Sequence, residues 1–236
     1  QEGALILAIS RTASDLEQLV GELGGAEEGH RFLPLDIAAA DGPMKLVEYV
    51  HQQGIEPDII VNNVGGNLGF TDPLCPVDEW QQVMRLNVEV ALEINSAFIP
   101  VMREKKWGRI VFVGTIGTEK PSNKNPDYYS AKGALPTLVR SLAKELQGSG
   151  VTANLVSPGM IATDEVREMV LRRAAREGID TWHEAEKWAV ANMMPNLTRR
   201  IPTPEDIGRF IAFAASEAAW HLTGADLKVD GGAVDA

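Results

Sequence analysis

Apolar positions along this chain follow two alternating rhythms. Short apolar runs occupy 4–9, 31–35, 58–61, 109–113, 151–156 and 225–229. Runs of that length suit strands buried in a sheet. Between them apolar residues recur every three to four positions, over 13–23, 42–53, 78–103, 127–147 and 204–216. In 127–147 the stripe is Leu135, Leu138, Val139, Leu142 and Leu146, the spacing of one helix face. Pro136 lies inside that segment, where it removes the bond to the Lys132 carbonyl and is expected to kink the helix. Pro204 opens the last helix, with Glu205 and Asp206 in the turn where the helix dipole favours acids. Gly21, Gly24 and Gly25 stand where the first helix should stop, and read as its cap and turn. Strand alternating with helix predicts an α/β fold, a doubly wound parallel sheet with helices on both faces. No repeat breaks the pattern, so 1–236 reads as one domain, with ligands at the carboxyl ends of the strands.

Charge narrows the partners. Lys and Arg number 22 against 33 Asp and Glu, a net charge of −11. Such a chain repels phosphate backbones, so nucleic acid is not expected as a partner. No apolar run approaches the ~20 residues of a membrane span, and no signal peptide is visible. The single Cys75 has no partner for an internal disulfide. Together these features point to a cytoplasmic protein. Cys75 lies in a Pro-Leu-Cys-Pro stretch with no nearby base, so it reads as structural rather than catalytic. His30, His51, His183 and His221 are scattered, and no metal site is expected.

Tyr128 and Lys132 carry the chemistry. Four apart on a helix, they stand one above the other on the same face. A neighbouring ammonium favours the phenolate, which predicts a lowered Tyr128 pKa and a hydroxyl able to exchange protons with a carbonyl or an alcohol. Tyr129 competes by adjacency but stands only three residues from Lys132. The bare pair is a weak signal, since many helices place a solvated lysine near a half-buried tyrosine.

The surroundings strengthen it. Asn62, Asn63, Val64 and Gly65 follow one strand, and Leu86-Asn87-Val88 lies on a helix. The stretch from Arg109 to Thr115 is a strand ending in a hydroxyl residue. Ser157-Pro158-Gly159 leads on through Ile161 to Thr163, and Val229-Asp230-Gly231-Gly232 comes near the end. In this order and spacing the chain resembles the short-chain dehydrogenase/reductase family, whose fold is Rossmann-like. The resemblance covers nearly all of the chain.

It implies an oxidoreductase that interconverts a ketone or aldehyde and an alcohol by hydride transfer. Tyr128 would be the general acid or base. Lys132 would tune Tyr128 and bind the nicotinamide ribose. Asn87 would anchor a water that links Lys132 to solvent; its plainer reading is a polar residue capping a helix kink. Thr115 would hold the substrate oxygen. The family normally has serine there, and the added methyl predicts a narrower substrate mouth. Asn63 and Gly65 would lie under the cofactor, and Pro158, Gly159, Ile161 and Thr163 near the nicotinamide. Asp36 and Ile37 would lie beside the adenine, unless Asp36 is simply a turn or cap residue. Ser10 and Arg11 end the first strand and offer a hydroxyl and a guanidinium, which suit a 2′-phosphate. NADP(H) is therefore expected over NAD(H), with an NAD-dependent alcohol dehydrogenase as the rival.

The mixed stretch 164–198, with Trp182, Trp188, Met169, Met193, Met194 and Leu197, would form a helical lid over an apolar substrate. Alternatively its aromatics serve only to pack the segment in place. The partner implied is a small carbonyl or alcohol, with the chain assembling as a homo-oligomer, a tetramer by resemblance.

One family element is missing. The chain runs from Gln1 straight into a strand, without the opening βα unit and its glycine-rich pyrophosphate turn. A segment of roughly 25 residues, on the scale of a βα unit, is expected to be absent either from this chain or from the natural protein. Without its strand the sheet should divide into two parts with unpaired edges. The same gap keeps open a second rival, a catalytically impaired relative acting as a binding or structural subunit.

Overall fold

A computed structural model describes residues 3–234; Gln1, Glu2, Asp235 and Ala236 lie outside the described residues, and with them the two ends of the expected 1–236 domain. Among the described residues six strands form and every pairing is parallel. They make a two-stranded sheet and a four-stranded sheet, the division expected from the sequence. The chain correspondingly separates into two compact units: residues up to Pro57 with Glu89–Val101, and Asp58–Val88 with everything from Met102 onward.

In the first unit β1 (Leu7–Ser10) pairs with β2 (Arg31–Pro34), Leu7 opposite Arg31. Between them α1 (Ala13–Glu22) buries Leu16 and Val20, one turn apart. The helix ends as its glycines predict. Gly24 and Gly25 take φ of 108° and 81°, and their N–H groups donate to the carbonyls of Gly21 and Val20. These paired bonds satisfy carbonyls that the last turn would otherwise leave open. The next helix, α2 (Gly42–Gln52), buries Leu46 and Val50. Its first residue must be glycine, because a Cβ at Gly42 would stand 2.6 Å from the carbonyl oxygens of Asp36 and Ile37.

In the second unit β3 (Ile59–Asn62), β4 (Gly108–Val113), β5 (Val151–Pro158) and β6 (Asp226–Val229) lie in that order. Every residue of β5 and all but the last of β4 are buried, so both faces of the sheet are covered. Helix α8 (Pro204–Ala215) lays Ile207, Ala214 and Ala215 against Val111 and Val156. Thr203 accepts from the Asp206 N–H, and the Asp206 carboxylate accepts from the Thr203 N–H, a reciprocal cap that fixes where α8 starts. Helix α5 (Pro126–Glu145) packs along β5. Of its stripe, Leu135, Val139 and Leu146 are buried, while Leu138 and Leu142 are half-buried. The helix passes through Pro136 as one element.

The single helix expected over 78–103 is corrected. It is α3 (Val77–Met84), a π-helical turn at Arg85–Glu89, and α4 (Val90–Lys105). Asn87 supplies a reason, since its Nδ2 donates to the Val83 carbonyl at 2.8 Å and competes with the backbone ladder. The segment 164–198 contains α6 (Asp164–Ala174) and α7 (Trp182–Asn192). Val170 and Ala174 pack on Ala185, Ala189 and Val190, with Met169, Trp182, Trp188 and Met193 around them. The Arg167 guanidinium lies 4.6 Å from the Trp182 ring centre. These apolar side chains thus form a core of their own, as the packing alternative expects, while Leu197 is exposed. Among the described residues no helix is long and apolar enough to cross a membrane, and no group of side chains could hold a metal.

Candidate active site

The π-helical turn aims Asn87 at the loop after β3. Asn87 Nδ2 donates to the Gly66 carbonyl at 2.8 Å, and its Oδ1 accepts from the Gly66 N–H at 3.1 Å. One side chain thereby pins both polar groups of a loop residue. Lys132 arrives at the same place from α5. It is 5% exposed, and its Nζ donates to the Val113 carbonyl at 2.8 Å, at the end of β4. Gly65 lies between the two. A Cβ there would stand 2.6 Å from both Asn87 Oδ1 and Lys132 Nζ, so only glycine fits. The Asn-Asn-Val-Gly element therefore has a steric reason for its last residue, which the sequence alone does not reveal.

Just beyond β4, Thr115 Oγ1 accepts from the Gly117 N–H at 3.1 Å. The bond leaves the hydroxyl hydrogen free to donate. Thr118 Oγ1 donates to the Thr115 carbonyl at 3.0 Å and tightens the turn. Gly117 gives room to Tyr129, whose Cε1 would be 2.5 Å from a Cβ at that position. The Tyr129 ring stands 5.5 Å from that of Tyr128, at a tilt of 58°.

The titration of the pair differs from the sequence expectation. Tyr128 is pushed up from the usual phenol value, first by burial and then by Tyr129. Lys132 is pushed down to about 8, by burial. The expected lowering of Tyr128 by Lys132 is thus corrected. Burial penalises the charged form of each group, and the lysine's bond runs to a carbonyl. At neutral pH the site presents a protonated phenol. Asn87 Nδ2 also donates to the Val83 carbonyl, one turn back on its own helix, as the kink-capping reading expects.

Asp127 escaped notice in the sequence except as the start of a helix. It is 1% exposed, immediately precedes Tyr128, and neither carboxylate oxygen has a hydrogen-bond partner. Cys75 is buried too. Burial pushes its thiol pKa up, and the charges of Asp127, Glu79 and Asp72 push it further, which suits a structural residue.

The strand ends carry the remaining candidates. After β5, the Gly159 N–H donates to the Val229 carbonyl at 3.2 Å, and a Cβ on Gly159 would meet Asp230 Cα at 3.2 Å. Ile161 packs beside α8, and Thr163 caps α6 by accepting from the Val166 N–H. Pro158 is buried, whereas Asn63 is exposed. Gly231 and Gly232 adopt positive φ, and the Gly231 carbonyl accepts from the N–H groups of Leu197 and Thr198. That contact ties the end of the 164–198 segment to the closing turn.

The chain matches, over residues 1–234, the family model described as enoyl-(acyl carrier protein) reductase. It is 28% identical over 230 residues to the 3-oxoacyl-[acyl-carrier-protein] reductase FabG of Pseudomonas aeruginosa, covering 98% of this chain and 87% of that protein. This chain is a short-chain dehydrogenase/reductase. It is also 30% identical to the uncharacterized oxidoreductase YvrD of Bacillus subtilis, over 99% of this chain and 88% of that one. Among solved structures it resembles the L-sorbose reductase of Gluconobacter frateurii complexed with NADPH and L-sorbose. The TM-score is 0.86 and the identity 26%, covering 99% of this chain and 88% of that one. As a short-chain dehydrogenase/reductase it is an oxidoreductase with a Rossmann-like parallel α/β fold.

The second unit of this oxidoreductase holds Asn63, Gly65, Asn87, Thr115, Tyr128, Lys132, Pro158, Gly159, Ile161 and Thr163. Of these, Asn87, Gly65 and Lys132 adjoin one another, and Thr115 and Tyr128 are linked through Gly117 and Tyr129. The first unit holds Ser10, Arg11, Asp36 and Ile37. Ser10 and Arg11 are exposed at the carboxyl end of β1. Asp36 Oδ1 accepts from the Ala38 N–H at 3.0 Å, which makes it a turn aspartate, and Ile37 keeps its side chain buried.

Proposed function

We propose that this oxidoreductase interconverts a ketone or aldehyde and an alcohol with NADP(H), and that Tyr128 moves the proton. The observation carrying this reading is Lys132, fixed between Val113 and Gly65 one helical turn after Tyr128. A bound nicotinamide nucleotide supplies the hydride. The donor set fits such a group. In the second unit Lys132 would bring a cation to the nicotinamide ribose, and Asn63 and Thr163 polar side chains; in the first unit exposed Ser10 and Arg11 offer what a 2′-phosphate needs.

The protonated phenol of Tyr128 donates to a carbonyl oxygen, and the free hydrogen of Thr115 orients that oxygen. Asn87 holds the loop against which Lys132 rests. The 164–198 segment covers the substrate. L-Sorbose reductase, crystallised with NADPH, supports both the nucleotide and the reaction class.

The test follows NADPH and NADH consumption across ketoses, 3-oxoacyl thioesters and cyclic ketones. NADPH should show a KM about tenfold below that of NADH. Arg11→Ala should erase that gap by raising the NADPH value alone, since one charged contact amounts to roughly tenfold or more. A preference for NADH in the natural protein would instead favour the NAD-dependent rival.

The chain also acts as a homo-oligomer, most simply a tetramer. Phe210 and Phe213, three apart on α8, are 46% and 47% exposed, an apolar stripe that a second copy would cover. Light scattering at micromolar concentration should give a mass several times 25.6 kDa. A single-subunit mass would reject the assembly.

A further inference from the structure

The chain leaves β6 at the carboxyl ends of the strands, where a parallel α/β sheet binds its ligands. Val229 stands opposite Pro158 there, and its carbonyl accepts from the Gly159 N–H at 3.2 Å, which fixes the base of the closing turn to the sheet. Asp230 then folds the chain back. Its Oδ1 accepts from the Gly232 N–H at 3.0 Å and its Oδ2 from the Val234 N–H at 3.1 Å. One half-buried carboxylate thus spends both oxygens on the backbone of its own turn, in two charge-assisted bonds. The far end of the turn is anchored as well. The Ala233 carbonyl accepts from Lys120 Nζ at 3.0 Å, and neighbouring Glu119 pairs with Lys228 of β6, so the stretch just beyond Thr115 is tied to the same place.

Between these two anchors the turn presents one carbonyl to the end of the 164–198 segment. Gly231 O accepts from the Leu197 N–H at 2.8 Å and from the Thr198 N–H at 3.1 Å. The Leu197 side chain lies on the turn too, since a Cβ on Gly232 would stand 2.8 Å from its Cδ1. The end of the segment is stiff in itself. Asn196 Oδ1 accepts from Thr198 Oγ1 at 2.9 Å, and its Nδ2 donates to the Arg200 carbonyl at 3.0 Å. Whatever places Leu197 and Thr198 therefore places the whole of 196–200.

We infer that Asp230 is a positioning residue of the substrate site: its carboxylate shapes the turn whose Gly231 carbonyl clasps the end of the 164–198 segment. It acts through Gly231 and not on the reacting atoms. Without the carboxylate the turn between Val229 and Ala233 loosens, and the exit of the segment loosens with it. Tyr128 and Lys132 lie on α5, outside this set of bonds, so the chemical step persists while the substrate is held less well. The inference rests on the reading above, in which the 164–198 segment covers the substrate.

Hydrogen exchange and steady-state kinetics on the full chain are the test. In Asp230→Ala the amides of Leu197 and Thr198 should exchange about tenfold faster or more, the scale of one lost charged hydrogen bond, while those of β4 and β5 keep their protection. The kinetic arm uses NADPH with L-sorbose, acetoacetyl-CoA or cyclohexanone, whichever is reduced. The carbonyl KM should rise about tenfold, with kcat within about threefold and the NADPH KM unmoved, the mark of lost substrate binding. Damage to the fold alone would instead lower the active fraction, and so kcat, at an unchanged KM. Asp230→Asn keeps one acceptor oxygen and should fall between the natural protein and the alanine variant. Gly231→Ala reaches the same segment from the other side. Its φ is 63° and its Cβ would run into Thr198 Oγ1, so the carbonyl KM should rise with the carboxylate intact. Unchanged protection of Leu197 and Thr198 in Asp230→Ala, or faster exchange with a natural carbonyl KM, would overturn the clasp. Full activity in Tyr128→Phe would strike the reading of the site instead, and the exchange of Leu197 and Thr198 would still decide whether Asp230 holds them.

Discussion

Tyr128→Phe should abolish carbonyl reduction while leaving circular dichroism and thermal unfolding near those of the natural protein. The ring stays, so its packing on Tyr129 stays, and only the hydroxyl is lost. Removing a positioned general acid costs about 10²–10⁴ in rate. The direction of the Tyr128 shift sharpens the expectation. Burial and Tyr129 keep the phenol protonated at neutral pH, so reduction should run there without needing alkali. Alcohol oxidation needs the phenolate, so its rate should still be climbing well above pH 7. Tyr129→Phe makes the matched control. It keeps most of the activity if Tyr128 is the acid, and loses it if the adjacent ring carries the proton. A folded Tyr128→Phe protein with near-normal kcat would end the assignment.

Much of this architecture was legible because it depends on local pattern. The parallel strands, the helix stripe with Leu135 and Val139, the Pro204 start and the Gly24–Gly25 stop all follow from residues within a few positions of one another. What escaped depends on distant contacts. The break in the 78–103 helix arises where Asn87 bonds to both Val83 and Gly66, and no periodicity encodes the second of these. The resemblance places Gly65 under the cofactor, but its neighbours, Asn87 and Lys132, come from helices far along the chain. The Tyr128 shift went the other way from expectation because spacing reveals a neighbouring charge but not how deeply both groups are buried. The sequence of 164–198 left open a lid or simple packing, and the structure shows its apolar residues packing α6 on α7.

Lys132→Met should cost at least about 10² in turnover, as expected for loss of an oriented charge at the reacting centre, and yet make the protein more stable at pH 7. The two effects have one cause. Burial lowers the folded-state pKa of Lys132 to about 8, whereas an unfolded lysine titrates near ~10.4. Below pH 8 both states carry the proton, and the folded state bears the full penalty of a buried ammonium, roughly 3 kcal/mol by that shift. Between about pH 8 and 10.4 the unfolded chain holds more protons than the folded one, so stability rises with pH and the penalty fades. Methionine has a similar length and no charge. Its cost is the charged hydrogen bond to the Val113 carbonyl, about 1.5–3 kcal/mol, which does not exceed the relief. Urea unfolding of both proteins across pH 6.5–10 is the measurement. The methionine variant should lead at neutral pH, and its lead should shrink steadily above pH 8. A constant difference over that range would mean that Lys132 is not held as a strained charge, and a loss of stability at pH 7 with full activity would mean that it serves the fold rather than the reaction.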